Sequence, residues 1–549
     1  MNPKMEYLKF SDAFLSSVVS LNAVLVGGKN EFFNAQSPCC LADQISVGSG
    51  HEWAWADGEL ALTTSSVEVN SLRKHLSKYE IAVRQRQQQP LSHWLIEKAD
   101  SRARIGICSR SWSAVQATST ARYLEKNGLE NTCFLNVIHP GKSIRSSFYW
   151  KRLKSAPVDF LLKRLANNNV DSELITRGDL VSYLTGLRSA SGGSVDAFLF
   201  MQKSNIPTLV TPHKIDQNAI LKLHKMGYRH CDVNGFFEAV SKNDYEVGVD
   251  PAVASLDTYT QLGQNAVETR EINYFSLDQH QNQDFQKVVH SFDAAVIETL
   301  SYIEYSSDIS EISVSNFLHE KFSSIPEFLG LPFPIYVSFG ERTSDPHPFP
   351  PATEKTLSDN DIVMLDAGIH SGLMTTDTTR MVVKANKYFI RRNYTIVLKA
   401  LVQASLVRGT SAAERNDVIE NLITSYNLSL GHSVGHAVIP GVSVHSFNKL
   451  FGSNNVSEIG ESILFTIEPG VYFSGEAGFR LENLMVSNGT DCMPLTKIPI
   501  DVRPALPCML SSEEIAWIDG YNRMSIEAHA DSISPRARSW SMAATRWSM

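Results

Sequence analysis

Hydrophobic positions in the first half of this 549-residue chain fall in short runs rather than long stripes. Ala23-Val24-Leu25-Val26 stops at Gly27-Gly28, and Glu59-Leu60-Ala61-Leu62-Thr63 forms a second run. Apolar runs of this length predict buried strands, and a helical stretch follows from about Val67. The same order returns in Asp196-Ala197-Phe198-Leu199-Phe200, in Pro207-Thr208-Leu209-Val210-Thr211, and in a helical pattern through Ile220, Leu221 and Leu223. The recurrence predicts two related α/β domains, at residues 1–145 and 146–275, a duplication that rests on element order and not on matched residues.

Between Arg270 and Gln283 the chain turns polar, which marks a boundary. Apolar residues then resume at helical spacing. Phe285, Val288, Val289, Phe292, Val296 and Leu300 share one face of a long amphipathic helix. A last domain is therefore expected over 276–535. Near its end Ser511-Ser512-Glu513-Glu514 has the form of a capping box opening a final helix. Residues 536–549 read as a tail.

Two hairpins in this last domain carry acids. The strand Ile362-Val363-Met364-Leu365 ends at Asp366, and Asp377 follows eleven residues later. A two-residue turn at Ser371-Gly372 sets the two acids directly opposite each other. Facing Cβ atoms lie about 4.5–5.5 Å apart, where two carboxylates repel unless one is protonated or a cation lies between them. Glu468 and Glu482 are likewise centred on Gly475, in a loop of odd length whose pairing a bulge could shift. One such acid reads as a solvated strand residue; four in two symmetric hairpins point to a site.

Composition narrows the class. At 43% hydrophobic and 20% charged residues, the chain has the balance of a globular protein, and it exceeds the roughly 250–300 residues that one core supports. A net charge of -8 leaves no basic excess for a phosphate backbone, so no nucleic-acid partner is expected. Seven cysteines, an odd number with only Cys39 and Cys40 adjacent, make neither a disulfide framework nor a CxxC metal spacing and fit a reducing compartment. No apolar window approaches the roughly 18 residues of a membrane span. Ser16, Ser17, Ser20 and Asn22 interrupt the apolar stretch 14–26 behind Lys4 and Lys9, against a cleaved signal.

Between the two hairpins lie His432, His436 and His445, in Gly431-His432-Ser433-Val434-Gly435-His436-Ala437-Val438 and just beyond. One histidine alone is more often structural; three in fourteen residues beside glycines suggest a site. The order Asp, Asp, His, Glu, Glu, set in LDAGIHSGLMTTDTTR, HSVGHAVIPGVSVH and EPGVYFSGEAGFRLEN, resembles the pita-bread metallopeptidases and, among them, the aminopeptidase P (Xaa-Pro aminopeptidase) family. In the three-domain, eukaryote-type branch the metal histidine has a second histidine four residues before it and a third nine after it. Those positions are His436, His432 and His445. HPFPPATEKTLSDNDIVMLDAG places His347 at another active-site histidine of the branch, while WADGELAL, RGDLVSYLTGLR and DAFLF resemble its N-terminal domains more faintly. A competing alignment takes His432 as the ligand, because GHSVG is similar to the GHGxG of prolidases; the nine-residue step to His445 selects His436. Ala437, Ser446 and Glu59 depart from the family pattern.

The resemblance implies creatinase-like α/β N-terminal domains followed by an α+β pita-bread catalytic domain. It implies a metal set of Asp366, Asp377, His436, Glu468 and Glu482 holding two divalent ions, manganese first, with cobalt, zinc or iron as alternatives. Two such ions about 3.5–4 Å apart activate a shared water and polarise a carbonyl. Glu468 becomes the general base, Asp366 helps hold the substrate amino terminus, His445 steadies the oxyanion, His347 and His432 line the leaving-group side, and Arg480 pairs an acid ligand. The implied reaction is hydrolysis between an N-terminal residue and a penultimate proline, by a cytoplasmic homodimer acting on peptides. Its rivals are a prolidase-type dipeptidase, a methionine aminopeptidase, which two N-terminal domains argue against, and a catalytically silent pita-bread module for protein binding.

Overall fold

The structure, a computed structural model, describes residues 21, 23–26 and 149–150, residues 52–135 apart from 58, 65–68, 77–80, 87 and 110–111, and residues 165–269 apart from 189–192, 204–205, 212–216 and 244. It also describes residues 282–547 apart from 327, 372–373, 446–449 and 452–457. Gly27-Gly28, Cys39 and Cys40, most of the stretch before Ala23, the polar boundary at 270–281, Gly372 and Ser446 lie outside the described residues. The chain divides into two compact units, Met1–Asn273 and Tyr274–Met549.

The first unit contains two six-stranded sheets of one design. In the first sheet the order is Ala82–Gln85, Glu59–Thr64, Glu52–Ala56, Ala23–Val26, Ile105–Cys108, Thr132–Leu135. Across that order the pairings run parallel, antiparallel, antiparallel, parallel, parallel. The second sheet runs Arg229–Asp232, Thr208–Thr211, Phe198–Gln202, Ser172–Ile175, Val247–Val249, Ala266–Glu268, with the same series of pairings. In both, the chain starts at the fourth position, steps outward to one edge and then adds two strands on the other side. The recurrence read from element order therefore extends to strand order and strand sense. The sheets also share contacts: the Ala114 amide donates to the Ala254 carbonyl at 2.9 Å, the Leu256 amide to the Trp112 carbonyl at 3.1 Å, and Leu256 packs in the first sheet's core.

The second unit opens with the expected helix, Asn282–Tyr305, whose Phe285, Val288, Val289, Phe292, Val296 and Leu300 are all buried. A second helix, Glu311–Ser323, starts at a Ser310 capping box and leads to the antiparallel strands Tyr336–Phe339, Ile362–Ala367 and Thr378–Val383. The pattern then repeats. Helices Tyr388–Leu406 and Ala412–Ser425 precede the sheet of Ala437–Val438, Leu464–Ile467, Asn483–Ser487 and Cys492–Pro494. Two apolar cores cover opposite faces of these sheets. Val363, Leu365 and Val382 pack with the first helix pair, while Met364, Met381 and Phe465 pack with the second. Strands buried on both faces read as continuous apolar runs, which is why Ile362–Ala367 stood out in the sequence.

The C-terminal segment corrects one expectation. Residues expected to be a tail form the helix Pro535–Ala544, capped by Ser534, with Ala537, Trp540 and Ala544 buried against the first helix of the unit. Glu298 of that helix accepts from the Ser534 amide and hydroxyl at 2.5 and 3.0 Å. The short, Ser/Arg-rich composition hid a buried face of four residues, only three of them apolar. Trp540→Ala is expected to cost about 3–5 kcal/mol, read as a fall in the denaturation midpoint; an unpacked tail would give no change.

Candidate active site

The first hairpin brings Asp366 and Asp377 together with a register that differs from the expected one. Asp366 faces Thr379, and Ala367 faces Thr378, so the hairpin is centred one residue later than a Ser371-Gly372 turn would place it. His370 still pairs, in an isolated bridge to Thr375. The acids are therefore diagonal rather than directly opposed. Because the slip is two positions along one strand, both side chains keep the same face of the sheet.

The second hairpin keeps the expected centre. Phe473 faces Ala477 and Gly470 faces Arg480 about Gly475, which has a φ of 74° that glycine tolerates. Below it Ile467 faces Asn483 in the same register. Glu468 and Glu482 therefore sit opposite each other between the two paired stretches. The hairpins are tied edge to edge: the Glu482 amide donates to the Thr379 carbonyl at 3.1 Å, and the Thr379 hydroxyl donates to Glu482 Oε2 at 3.0 Å.

His436 enters on a strand-like segment laid along Leu464–Ile467. Its amide donates to Thr466 Oγ1 at 3.1 Å and its carbonyl accepts from the Thr466 amide at 2.8 Å. The approach needs Gly435, where an added Cβ would lie 2.0 Å from the Thr466 carbonyl oxygen. Gly435→Ala is expected to cost about 1–3 kcal/mol of stability and to lose metal uptake by displacing His436, measurable on the folded fraction by metal analysis. His436 Nε2 stands 3.4 Å from Asp377 Oδ2 and 3.4 Å from Glu468 Oε1. Asp377, His436 and Glu482 each offer a ligand atom within 4.8 Å of the others.

Arg480 is the hub of the remaining contacts. Its guanidinium, 1% exposed, donates to Asp366 Oδ2 at 2.5 Å, Thr379 Oγ1 at 2.9 Å, the Tyr472 hydroxyl at 2.8 Å and the Pro346 carbonyl at 3.2 Å. Tyr472 in turn reaches His432 Nε2 at 2.8 Å, while His432 Nδ1 donates to the Ser433 carbonyl at 2.7 Å. Both ring nitrogens of His432 are thus engaged, and its Nδ1 is 3.9 Å from Glu468 Oε2. His445 packs beside His436, ring centres 4.2 Å apart, and His347 stacks on Tyr336, whose backbone faces Asp366. All nine residues singled out in the sequence gather in one place. Two participants were missed although both lie inside quoted motifs: Tyr472 and Thr379. The tyrosine is held in a slot where a Cβ on Gly431, Gly470 or Gly478 would come within 2.6 Å of its atoms, a constraint that no local sequence signal reveals.

The electrostatics describe four acids crowded around one counter-charge, Arg480. Burial raises the pKa of all four. Asp366 adds to the shift of Asp377, and Asp377 adds to the shift of Glu482, whereas Arg480 pulls Asp366 and Glu468 back down. Burial pushes His436 down to about 4 and His432 to about 3, and holds His445 and His347 well below the usual imidazole range, so the rings are neutral donors and acceptors. Asp366 Oδ1 and Glu482 Oε1 are buried with no hydrogen-bond partner among the described residues. Unpartnered carboxylate oxygens, like charges in contact and one neutral imidazole make a donor set that fits divalent cations.

Comparison with known proteins agrees with this chemistry. Residues 284–488 match the model of metallopeptidase family M24. The chain is 24% identical over 426 residues to the Xaa-Pro aminopeptidase app-1 of Caenorhabditis elegans, covering 70% of this chain and 68% of that one. It is 23% identical over 361 residues to a Xaa-Pro dipeptidase of Pyrococcus horikoshii, covering 61% and 95%. Among solved structures, an X-prolyl aminopeptidase from C. elegans, described as a cytosolic enzyme with a di-nuclear active site, superposes with a TM-score of 0.84 at 19% identity, over 99% of this chain and 98% of that one. The prolidase from Pyrococcus furiosus superposes with a TM-score of 0.51 at 20% identity, over 61% and 98%. At these identities the superpositions establish the fold, α/β N-terminal region and pita-bread domain together.

Proposed function

We propose that this chain, whose residues 284–488 match the model of metallopeptidase family M24, is a metal-dependent aminopeptidase that hydrolyses the bond between an N-terminal residue and a penultimate proline. The observation that carries the reading is the meeting of two hairpins and one glycine-guided segment at one site, where Asp377, His436 and Glu482 offer ligand atoms within 4.8 Å of one another, Glu468 Oε1 lies 3.4 Å from His436 Nε2, and Asp366 acts electrostatically on Asp377. Those five residues hold two divalent cations, with manganese the first candidate. When bound, the cations supply Lewis acidity for the scissile carbonyl and lower the pKa of the attacking water. His436 is the ligand rather than His432, because its Nε2 faces two carboxylates while both nitrogens of His432 are engaged elsewhere.

The chain's own residues divide the remaining work. Glu468, a carboxyl that burial holds at raised pKa, is the base that takes a proton from the water. Asp366, fixed by Arg480, holds the substrate amino group. His445, next to His436, donates toward the oxygen that gains charge at the reacting carbon. His347 and His432 line the leaving side, and Tyr472 keeps the His432 ring in the tautomer with a proton on Nδ1. The C. elegans structure is described as cytosolic, which supports a cytoplasmic location for this chain as well, and a homodimer is proposed from the family resemblance alone. Among the described residues no helix is long and apolar enough to cross a membrane.

The rival within the fold is a prolidase confined to dipeptides. Against it stands the coverage: the aminopeptidase structure accounts for 99% of this chain, the prolidase for 61%. Assayed side by side with manganese, a Xaa-Pro-Xaa tripeptide is expected to be cleaved and a Xaa-Pro dipeptide to be spared; the reverse preference would make the chain a prolidase. A silent binding module is disfavoured because all five ligand-type residues are present.

A further inference from the structure

The sequence Thr379-Arg380 grips Glu482 at every polar group but one. The Thr379 carbonyl accepts from the Glu482 amide at 3.1 Å, the Thr379 hydroxyl donates to Glu482 Oε2 at 3.0 Å, and Arg380 donates to the Glu482 carbonyl at 2.5 Å. What remains is Glu482 Oε1, buried and without a hydrogen-bond partner among the described residues. Thr379 and Arg380 are successive strand residues, so their side chains leave opposite faces of the sheet. Thr379 therefore works inside the site and Arg380 behind it.

Arg480 Nε donates to Thr379 Oγ1 at 2.9 Å, which turns the hydroxyl's one proton toward the acids: Glu482 Oε2 accepts it at 3.0 Å, and Asp366 is also within its reach. The same guanidinium pairs Asp366 at 2.5 Å. One hydroxyl thus joins the acid pair of the first hairpin to the acid of the second. On the other face Arg380 is buried and donates also to the Thr379 and Ile498 carbonyls, Asn483 Oδ1 and the Tyr521 hydroxyl, locking the strand edge on which Glu482 sits.

We propose that Thr379 is a positioning residue, backed by Arg380, that engages Oε2 of Glu482 and thereby presents Oε1 to a bound cation. The inference rests on the metallopeptidase reading above. It goes beyond that reading by assigning the geometry of one ligand to a hydroxyl that touches neither substrate nor reacting atoms. Outer hydrogen bonds to metal ligands commonly change affinity by about 10–100-fold, which sets the scale expected here.

The test compares the wild-type chain with Thr379→Val and Thr379→Ser, each stripped of metal and titrated with Mn2+ by calorimetry, with Xaa-Pro-Xaa cleavage measured on the same samples. Valine keeps the shape and removes the hydroxyl; serine keeps the hydroxyl. The expected result is Mn2+ affinity about 10–100-fold weaker in Thr379→Val, activity recovered by raising Mn2+, and serine within a few-fold of wild type. A purely structural role would lower activity without recovery by Mn2+ and would overturn the proposal. So would wild-type affinity in Thr379→Val, or a serine variant as weak as the valine one. Arg380→Met, titrated in the same way, is expected to weaken Mn2+ binding through the backbone hold on Glu482, and unchanged binding there would remove Arg380 from the assignment. If the wild-type chain itself binds no Mn2+, the metallopeptidase reading fails first, and the two failures are told apart.

Discussion

Asp377→Asn is expected to abolish peptide cleavage and metal uptake together while leaving the metal-free protein at least as stable as the wild type. The sign of the stability effect follows from the crowding. Asp377 is 6% exposed, its pKa raised by burial and then by Asp366, so the metal-free fold already disfavours its charge. Asparagine keeps the shape and removes that charge. What disappears is the attraction for a cation, worth several kcal/mol of transition-state stabilisation, or roughly a tenfold rate loss for every 1.4 kcal/mol. Melting curves with and without Mn2+ measure both halves. The wild-type midpoint should rise with metal, because a ligand that binds only the folded state stabilises it, and the variant midpoint should not move. A variant that melts far below the metal-free wild type would mean that Asp377 is structural.

Arg480→Met carries the opposite expectation. Arg480 is the cation that partly answers the acids, and its removal strands Asp366 in a buried place with one oxygen already unpartnered. Breaking a buried ion pair from one side costs about 3–5 kcal/mol, so the metal-free protein should melt lower even before catalysis is measured. The loss spreads further, since the same guanidinium holds the Pro346 carbonyl, next to His347, and the Tyr472 hydroxyl, next to His432. Arg480→Lys should recover little, because a single ammonium cannot span the planar fork of partners. A stable, active lysine variant would show that charge alone suffices and that the four-way geometry does not matter.

The contrast between these two residues shows how far the sequence could be read. Acids ending apolar strands are visible because burial on both faces makes Ile362–Ala367 a continuous apolar run that stops at a charge. The nine-residue step between His436 and His445 is visible because both lie in one local segment. The register of the first hairpin was not, since His370–Ser371 also pairs with Phe328–Gly330, a strand some forty residues earlier. The face survived the error only because the slip was an even number of residues. Thr379 and Tyr472 gain their roles from partners 103 and 40 residues away along the chain respectively, Glu482 for the first and His432 for the second. No periodicity or turn signal encodes such contacts. The C-terminal helix failed for a related reason: Trp540 is meaningful only against a helix that begins more than two hundred residues earlier.

The N-terminal unit was legible in a different way. Strand and helix order alone suggested a duplication, and the two sheets repeat both order and strand sense. Element order survives where residue identity does not, because right-twisted strands and short connections admit few ways to lay six strands side by side.

The central claim is that these acids and His436 form a two-cation peptidase centre, and one titration tests it most directly. Wild-type protein stripped of metal is supplied with Mn2+ in steps, and metal per chain is measured together with cleavage of a Xaa-Pro-Xaa peptide. The account predicts no cleavage without metal, activity that rises to a plateau as two ions per chain are taken up, and loss of that activity on chelation. Cleavage that persists without metal, or a chain that takes up no stoichiometric ion, would contradict it.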